Sequence, residues 1–190
     1  MQKIHRVILI IKDKIFTTIE YLLMSVMIFF FIYIFVAQLV QVSGVSMNPT
    51  LQDRDQLLAE KISLSLNNIN KGDIIIFNSV PDDNNLSHLL VKRVIATEGD
   101  TIKFENGFVY LNNKLLQEDY LDENVYTNIN SEHTLIESNE YLIGKDSYFV
   151  MGDNRDESND SRYFGSIYKN DILGKVILRY LPLEDFMIIK

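Results

Sequence analysis

Ser46 and Lys92 are residues of ordinary type whose settings could do chemistry. The first sits in Ser43-Gly44-Val45-Ser46-Met47-Asn48-Pro49-Thr50, the second in Leu89-Leu90-Val91-Lys92-Arg93-Val94-Ile95. A serine hydroxyl is a poor nucleophile at neutral pH and needs a base, and a lysine amine can take its proton only when neutral. Free lysine titrates near 10.4, so about one in a thousand is neutral around pH 7 to 8. Desolvation must close that gap. Strand alternation puts Lys92 on one face with Leu90 and Val94 and turns Arg93 away, so Lys92 is the candidate base in preference to Arg93 or Lys61. Taken alone, Lys92 reads as an edge-strand residue whose stem covers apolar surface, and Ser46 as a turn serine.

A third element changes that balance. After the apolar run Tyr148-Phe149-Val150-Met151 comes Gly152-Asp153-Asn154-Arg155-Asp156-Glu157-Ser158-Asn159-Asp160-Ser161-Arg162-Tyr163-Phe164-Gly165. Alternating acids and arginines can lock a loop through charge-assisted pairs and leave a hydroxyl such as Ser158 free to orient a buried amine. The EF-hand pattern fails here, because Arg155 occupies a ligand position and Ser158 replaces the required glycine. His5, His88 and His133 are far apart with no paired spacing, so neither a metal site nor a cofactor is expected. His88 lies four residues before Lys92, on the same strand face, and offers an alternative serine/histidine pairing.

These residues need an element to deliver them. No charged residue occurs from Tyr21 to Gln52, and Tyr21 to Val42 makes a helix of roughly 33 Å, enough for a ~30 Å hydrocarbon core. The expected organisation is a cytoplasmic segment 1–20, a transmembrane anchor 21–42 and an extracytoplasmic domain 43–190. The four basic residues Lys3, Arg6, Lys12 and Lys14 precede the anchor, and the positive-inside tendency puts the N-terminus in the cytoplasm. A cleavable secretory signal would have a shorter apolar core and a small-x-small site, whereas Ala37 stands alone. The net charge is −8, with +2 in the first twenty residues and therefore −10 in the rest. That acidic body argues against a nucleic-acid partner. Cysteine is absent, which removes disulfides and thiolate chemistry.

Beyond Gly44, short apolar runs alternate with Asn, Asp and Gly, which predicts a mainly β domain. Strands are expected at Gln56 to Ala59, Asp73 to Phe77, Leu89 to Ala96, Thr101 to Phe104, Phe108 to Leu111, Ser147 to Met151 and Ile172 to Leu181. Asn106-Gly107 predicts a hairpin, because both turn positions need positive φ. Asp82-Asp83-Asn84-Asn85 reads as an exposed turn. Residues 103–146 are richer in Asn and Glu and form a candidate β-ribbon cap inserted into the catalytic core.

In order along the chain, Ser46-Met47-Asn48-Pro49-Thr50-Leu51, Lys71-Gly72-Asp73-Ile74-Ile75-Ile76-Phe77, Val91-Lys92-Arg93-Val94 with Gly99-Asp100, and Gly152 to Gly165 resemble the sequence boxes of bacterial type I signal peptidases. The resemblance covers nearly the whole chain and is to the single-span type. It implies a β-rich catalytic fold shared with the self-cleaving repressor proteases, and an endopeptidase that removes leader peptides from exported preproteins. It further implies Ser46 as nucleophile, Lys92 as general base and Ser158 as the hydroxyl that positions the lysine, with Asp153, Arg155, Asp160 and Arg162 holding the loop. The family's side-chain oxyanion donor falls at Gly44, where no side chain exists, so backbone N–H groups are expected to serve. Ala96-Thr97-Glu98 replaces the Gly and Pro usual near the following turn. Two other readings are a narrow-specificity peptidase for one secretion pathway and a non-catalytic membrane-anchored binding protein of the same fold.

Overall fold

The computed structural model of the chain describes residues 2–79, 88–122, 125–127 and 140–189, so the turn expected at Asp82 to Asn85 lies outside the described residues. Two compact units result, Met1–Ala37 and Gln38–Lys190.

The first unit is helix α1, Gln2–Phe35. Its Leu9–Tyr33 stretch, 25 residues, is long and apolar enough to cross a membrane. Large apolar side chains such as Phe16, Leu22, Phe29 and Phe31 are exposed. The hydroxyls of Thr17, Thr18 and Ser25 bond back to the carbonyls of Asp13, Lys14 and Leu22, so these polar groups are satisfied within the helix. The expected bounds 21–42 are corrected at both ends. The helix already includes the basic N-terminal residues and stops at Phe35, and Ala37–Gln41 form strand β1. One charge-free run thus contains two elements. In Gln38-Leu39-Val40-Gln41-Val42 the polarity alternates with a period of two, and Val40 and Val42 enter the core of the second unit.

The second unit is built on an eight-stranded sheet with the order β1-β2-β11-β3-β4-β9-β10, with β12 also paired to β11. Its further strands are β2 (Gln56–Glu60), β3 (Ile74–Asn78), β4 (Leu89–Thr97), β9 (Ser147–Met151), β10 (Ile167–Tyr168), β11 (Ile172–Leu181) and β12 (Met187–Ile188). All seven expected strands form, to within a residue at either end. The two-residue strands β10 and β12 are too short to leave a periodic signal. β3, β4 and β9 are neighbours, and their buried runs Ile74 to Phe77 and Phe149 to Met151 make them the interior of the sheet. Central strands with both faces covered read as continuous apolar runs, which is the pattern here.

The cap is a second sheet of four strands, β7-β6-β5-β8, with β5 (Thr101–Glu105), β6 (Phe108–Leu111), β7 (Lys114–Leu115) and β8 (Glu140–Leu142). Ile102, Phe104 and Val109 from the cap pack with Ile95, Phe149 and Met151 from the main sheet. The cap therefore shares a core with the strands that carry the candidate site. The turn whose family residues are replaced forms regardless. Asp100 accepts from Thr97 N and Oγ1 and from Lys71 and Asn112, and these bonds outweigh its burial and hold its carboxyl below the usual range.

Asn106 and Gly107 join β5 to β6 with φ of 53° and 82°. Asn112 and Asn113 repeat the device between β6 and β7 with φ of 52° and 64°. A Cβ at Gly107 would come within 2.8 Å of the Tyr126 ring. Gly107→Ala combines that collision with a disfavoured backbone and is expected to lower stability by about 1–3 kcal/mol. A urea midpoint unchanged from the wild type would contradict this account of the hairpin.

Candidate active site

Ser46 lies on a turn held at both ends. Asn48 N donates to Val45 O and Leu51 N to Met47 O, while Met47 and Leu51 are buried in the core. Upstream, Gly44 has φ +97° and its N–H donates to Asp53 Oδ1 at 2.9 Å. The turn is thus fixed by apolar anchors on either side of a half-buried hydroxyl.

Lys92 sits on β4 opposite Ile75 of β3, and is only 2% exposed. Its Nζ lies 2.7 Å from Ser46 Oγ and 3.2 Å from Val91 O, donating to both as the ammonium. When the amine is neutral, the serine hydroxyl can donate across the same contact. Burial lowers its pKa from 10.5 to about 8; Asp160 and Asp153 oppose that shift and Arg162 assists it. An amine that is neutral in a large fraction at pH 8, in contact with a hydroxyl, can act as its base.

Arg93, the next residue, points to the other face as strand alternation requires, but it is buried and not solvated. Its guanidinium grips Asp153 with bonds of 2.9 and 2.7 Å and donates to Gly72 O. Asp153 opens the loop at 152–165. Asp160 accepts from Gly152 N and pairs with Arg162, whose NH2 also reaches Arg155 O at 2.8 Å. Asp160 further caps the short helix α2 (Ser161–Phe164) by accepting from Arg162 N. Arg155 donates to Gly152 O, to both oxygens of Glu118 and to Thr127 Oγ1. Burial opposes the charge on Arg155, and the Glu118 carboxylate outweighs it.

The loop touches the Ser46 turn directly. Asn154 N donates to Ser46 O at 3.0 Å and Asn154 Nδ2 to Val45 O at 3.2 Å. A Cβ on Gly152 would run into Ser46 O and Ser158 Oγ, so only glycine permits this approach. Ser158 Oγ is buried beside Gly152 and makes no hydrogen bond among the described residues, and none joins it to Lys92. His88 is exposed at the start of β4, and Lys92 takes the place at Ser46. Arg93, Glu118, Tyr120, Thr127 and Asn154 belong to the site as well. The only local signal for any of them is an arginine inside an otherwise apolar strand. No cluster of residues able to hold a metal ion occurs among the described residues.

The site sets a buried lysine amine against a serine hydroxyl on a β-rich domain, an arrangement that can do serine/lysine chemistry. Among known proteins, the family described as signal peptidase, peptidase S26, matches residues 15–181. A probable signal peptidase I-2 of Synechocystis is 35% identical over 153 residues, 78% of this chain and 65% of the relative, so the match spans just under two thirds of that protein. Signal peptidase IB of Staphylococcus aureus strain COL is 31% identical over 184 residues, 92% of this chain and 94% of the relative. A solved signal peptidase I from Enterococcus faecalis V583 aligns with a TM-score of 0.45 and 29% identity, over 56% of this chain and 95% of that one. The chain belongs to the signal peptidase family of hydrolases.

Burying Lys92 has a stability consequence whose sign follows from its lowered pKa. Below pH 8 the lysine is charged in both states, and the folded state carries the full cost of desolvating it. Between about pH 8 and 10.5 only the unfolded chain binds the proton, so stability rises with pH; above 10.5 the cost is gone. Lys92→Met is therefore expected to be more stable than wild type at pH 7, by about 3 kcal/mol, with the advantage fading as pH passes 10. Equal urea midpoints at pH 7 would contradict the desolvation argument.

Proposed function

We propose that this protein is a membrane-anchored serine endopeptidase that cleaves leader peptides from exported preproteins at the outer face of the cell membrane. Ser46 is the nucleophile and Lys92 the general base. The observation that carries the reading is the 2.7 Å contact between a buried amine and the serine hydroxyl. Ser46 Oγ attacks the scissile carbonyl while Lys92 Nζ accepts its proton. The protonated lysine gives that proton to the departing amine as the C–N bond breaks; neutral again, Lys92 Nζ takes a proton from the water that attacks the acyl-enzyme ester and returns it to Ser46 Oγ as the acid product leaves.

The developing oxyanion needs a donor. Gly44 offers no side chain, and its N–H is engaged by Asp53. Ser46 N–H bonds no acceptor among the described residues and is the donor assigned to this task. The preprotein binds as an extended strand, which gives main-chain affinity while small pockets read alternate side chains. The resemblance to type I signal peptidases implies small side chains, commonly alanine, at the first and third positions before the cut. The basic residues at the start of α1 support a cytoplasmic N-terminus and an extracytoplasmic Gln38–Lys190 unit. Anchoring raises the effective concentration of enzyme toward leaders that lie in the same bilayer.

The test is mass-spectrometric mapping of the N-termini formed when detergent-solubilised full-length chain meets a panel of precursors. Cleavage after small-x-small sites in several precursors is the expected outcome, and cleavage of one alone identifies a pathway-dedicated enzyme. Ser46→Ala and Lys92→Ala should each reduce product to background while leaving the protein folded. Since the base must be neutral, kcat/KM should rise with pH through about 8 and level off above it. Wild-type protein that cleaves nothing would identify a binding protein, and a fully active Lys92→Ala would reject the dyad.

A further inference from the structure

Residues 116–122 and 125–127, which follow β7 in the cap, make no hydrogen bond to Ser46 or Lys92 among the described residues yet reach the back of the loop beside them. Glu118 accepts both terminal nitrogens of Arg155, and Tyr120 OH donates to Glu118 Oε1 at 2.7 Å. The Tyr120 ring lies 4.0 Å beneath the Arg93 guanidinium, and Thr127 Oγ1 accepts from Arg155. The stretch is itself tied to the cap, since Leu116 N donates to Val109 O and Thr127 N to Gly107 O.

Each contact leads to one member of the dyad. From Glu118 the path runs through Arg155, whose Nε donates to Gly152 O, to Gly152, which is pressed against Ser46 O. From Tyr120 it runs through Arg93, which grips Asp153 and is the strand neighbour of Lys92. The Arg155 side chain is wholly buried and its partner Glu118 nearly so. Such a guanidinium, deprived of its carboxylate, would have to move or draw in water.

We propose that Glu118 and Tyr120 are positioning residues for the Ser46–Lys92 pair. Acting from the cap, they clamp the 152–165 loop against the nucleophile turn through Arg155 and Arg93. The proposal rests on the peptidase reading above. It makes the cap part of the catalytic apparatus and not only a lid on the core. The groups that face Lys92 are Ser46 on its turn, the uncharged Ile75 on β3, and Asp153, Asp160 and Arg162 on the loop. All three charged groups move if the clamp loosens, and water then reaches the amine.

The test compares full-length wild type, Glu118→Gln and Tyr120→Phe on one precursor, with kcat, KM, the pH profile and the folded fraction measured for each. Glu118→Gln keeps the shape of the side chain and removes its charge. Its kcat should fall ~10²-fold per folded molecule, the scale of a small misplacement of reacting groups, with little change in KM. Its acid limb should move to higher pH, toward the ordinary lysine range, as the amine becomes hydrated. Tyr120→Phe keeps the ring under Arg93 and loses the hydroxyl's bond to Glu118 and its long 3.4 Å bond from Arg155, so smaller changes in the same directions are expected. A folded Glu118→Gln with wild-type kcat and an unmoved limb would overturn the clamp, as would a loss that tracks only the unfolded fraction. If Glu118→Gln does not fold, Tyr120→Phe decides by the same two readouts. Wild-type enzyme without activity would overturn the peptidase reading itself, and the clamp with it.

Discussion

A lysine can stand neutral near pH 8 only where water and uncompensated negative charge are both kept from it, and the second condition is the harder one in this fold. Two carboxylates, Asp153 and Asp160, lie close enough to raise the Lys92 pKa. Each is already matched by an arginine, Asp153 by Arg93 and Asp160 by Arg162, in pairs whose members are almost completely buried. Arg162 offsets part of the field that would otherwise hold Lys92 charged. The dense acidic and basic loop is therefore less a binding surface than an internally neutralised scaffold beside a dry amine. Breaking one such pair would leave its partner buried without compensation, which costs about 3–5 kcal/mol.

That constraint explains why the site is assembled from distant parts of the chain. The Ser46 turn, two central strands and the loop after β9 meet at one nitrogen, with the cap behind the loop. The hydrogen bonds that join them run between backbone groups and fully buried guanidinium groups, so the geometry is set by the folded core and not by flexible surface pairs. Gly152 marks the tightest point, where loop and nucleophile backbone meet without room for a methyl group. The same closure leaves Ser158 Oγ buried beside that junction without a hydrogen-bond partner among the described residues.

What was legible in the sequence, and what was not, divides along physical lines. Lys92 and the mainly β body followed from period-two alternation and from turn residues, signals that act over a few positions. Asn106-Gly107 was legible for the same reason, since positive φ at two successive positions restricts the residue types that fit. The end of α1 was not, because a charge-free run is equally suited to lipid and to a protein core; only the alternation after Ala37 distinguishes them. Arg93 was assigned to the far face correctly in direction, yet its role depends on Asp153, 60 residues away. Glu118 and Tyr120 lie in a polar stretch without periodicity, and their partners are set by tertiary packing of the cap.

The central claim is that the Lys92 amine is dry enough to titrate near pH 8, well below an exposed lysine. Its most direct test is an NMR titration of the Lys92 side chain in full-length protein labelled with 13C-lysine. The resonance would be assigned by its disappearance in Lys92→Ala. A midpoint near pH 8, well apart from the exposed lysines, is the predicted result. A midpoint at the ordinary lysine value of about 10.4 would contradict the account.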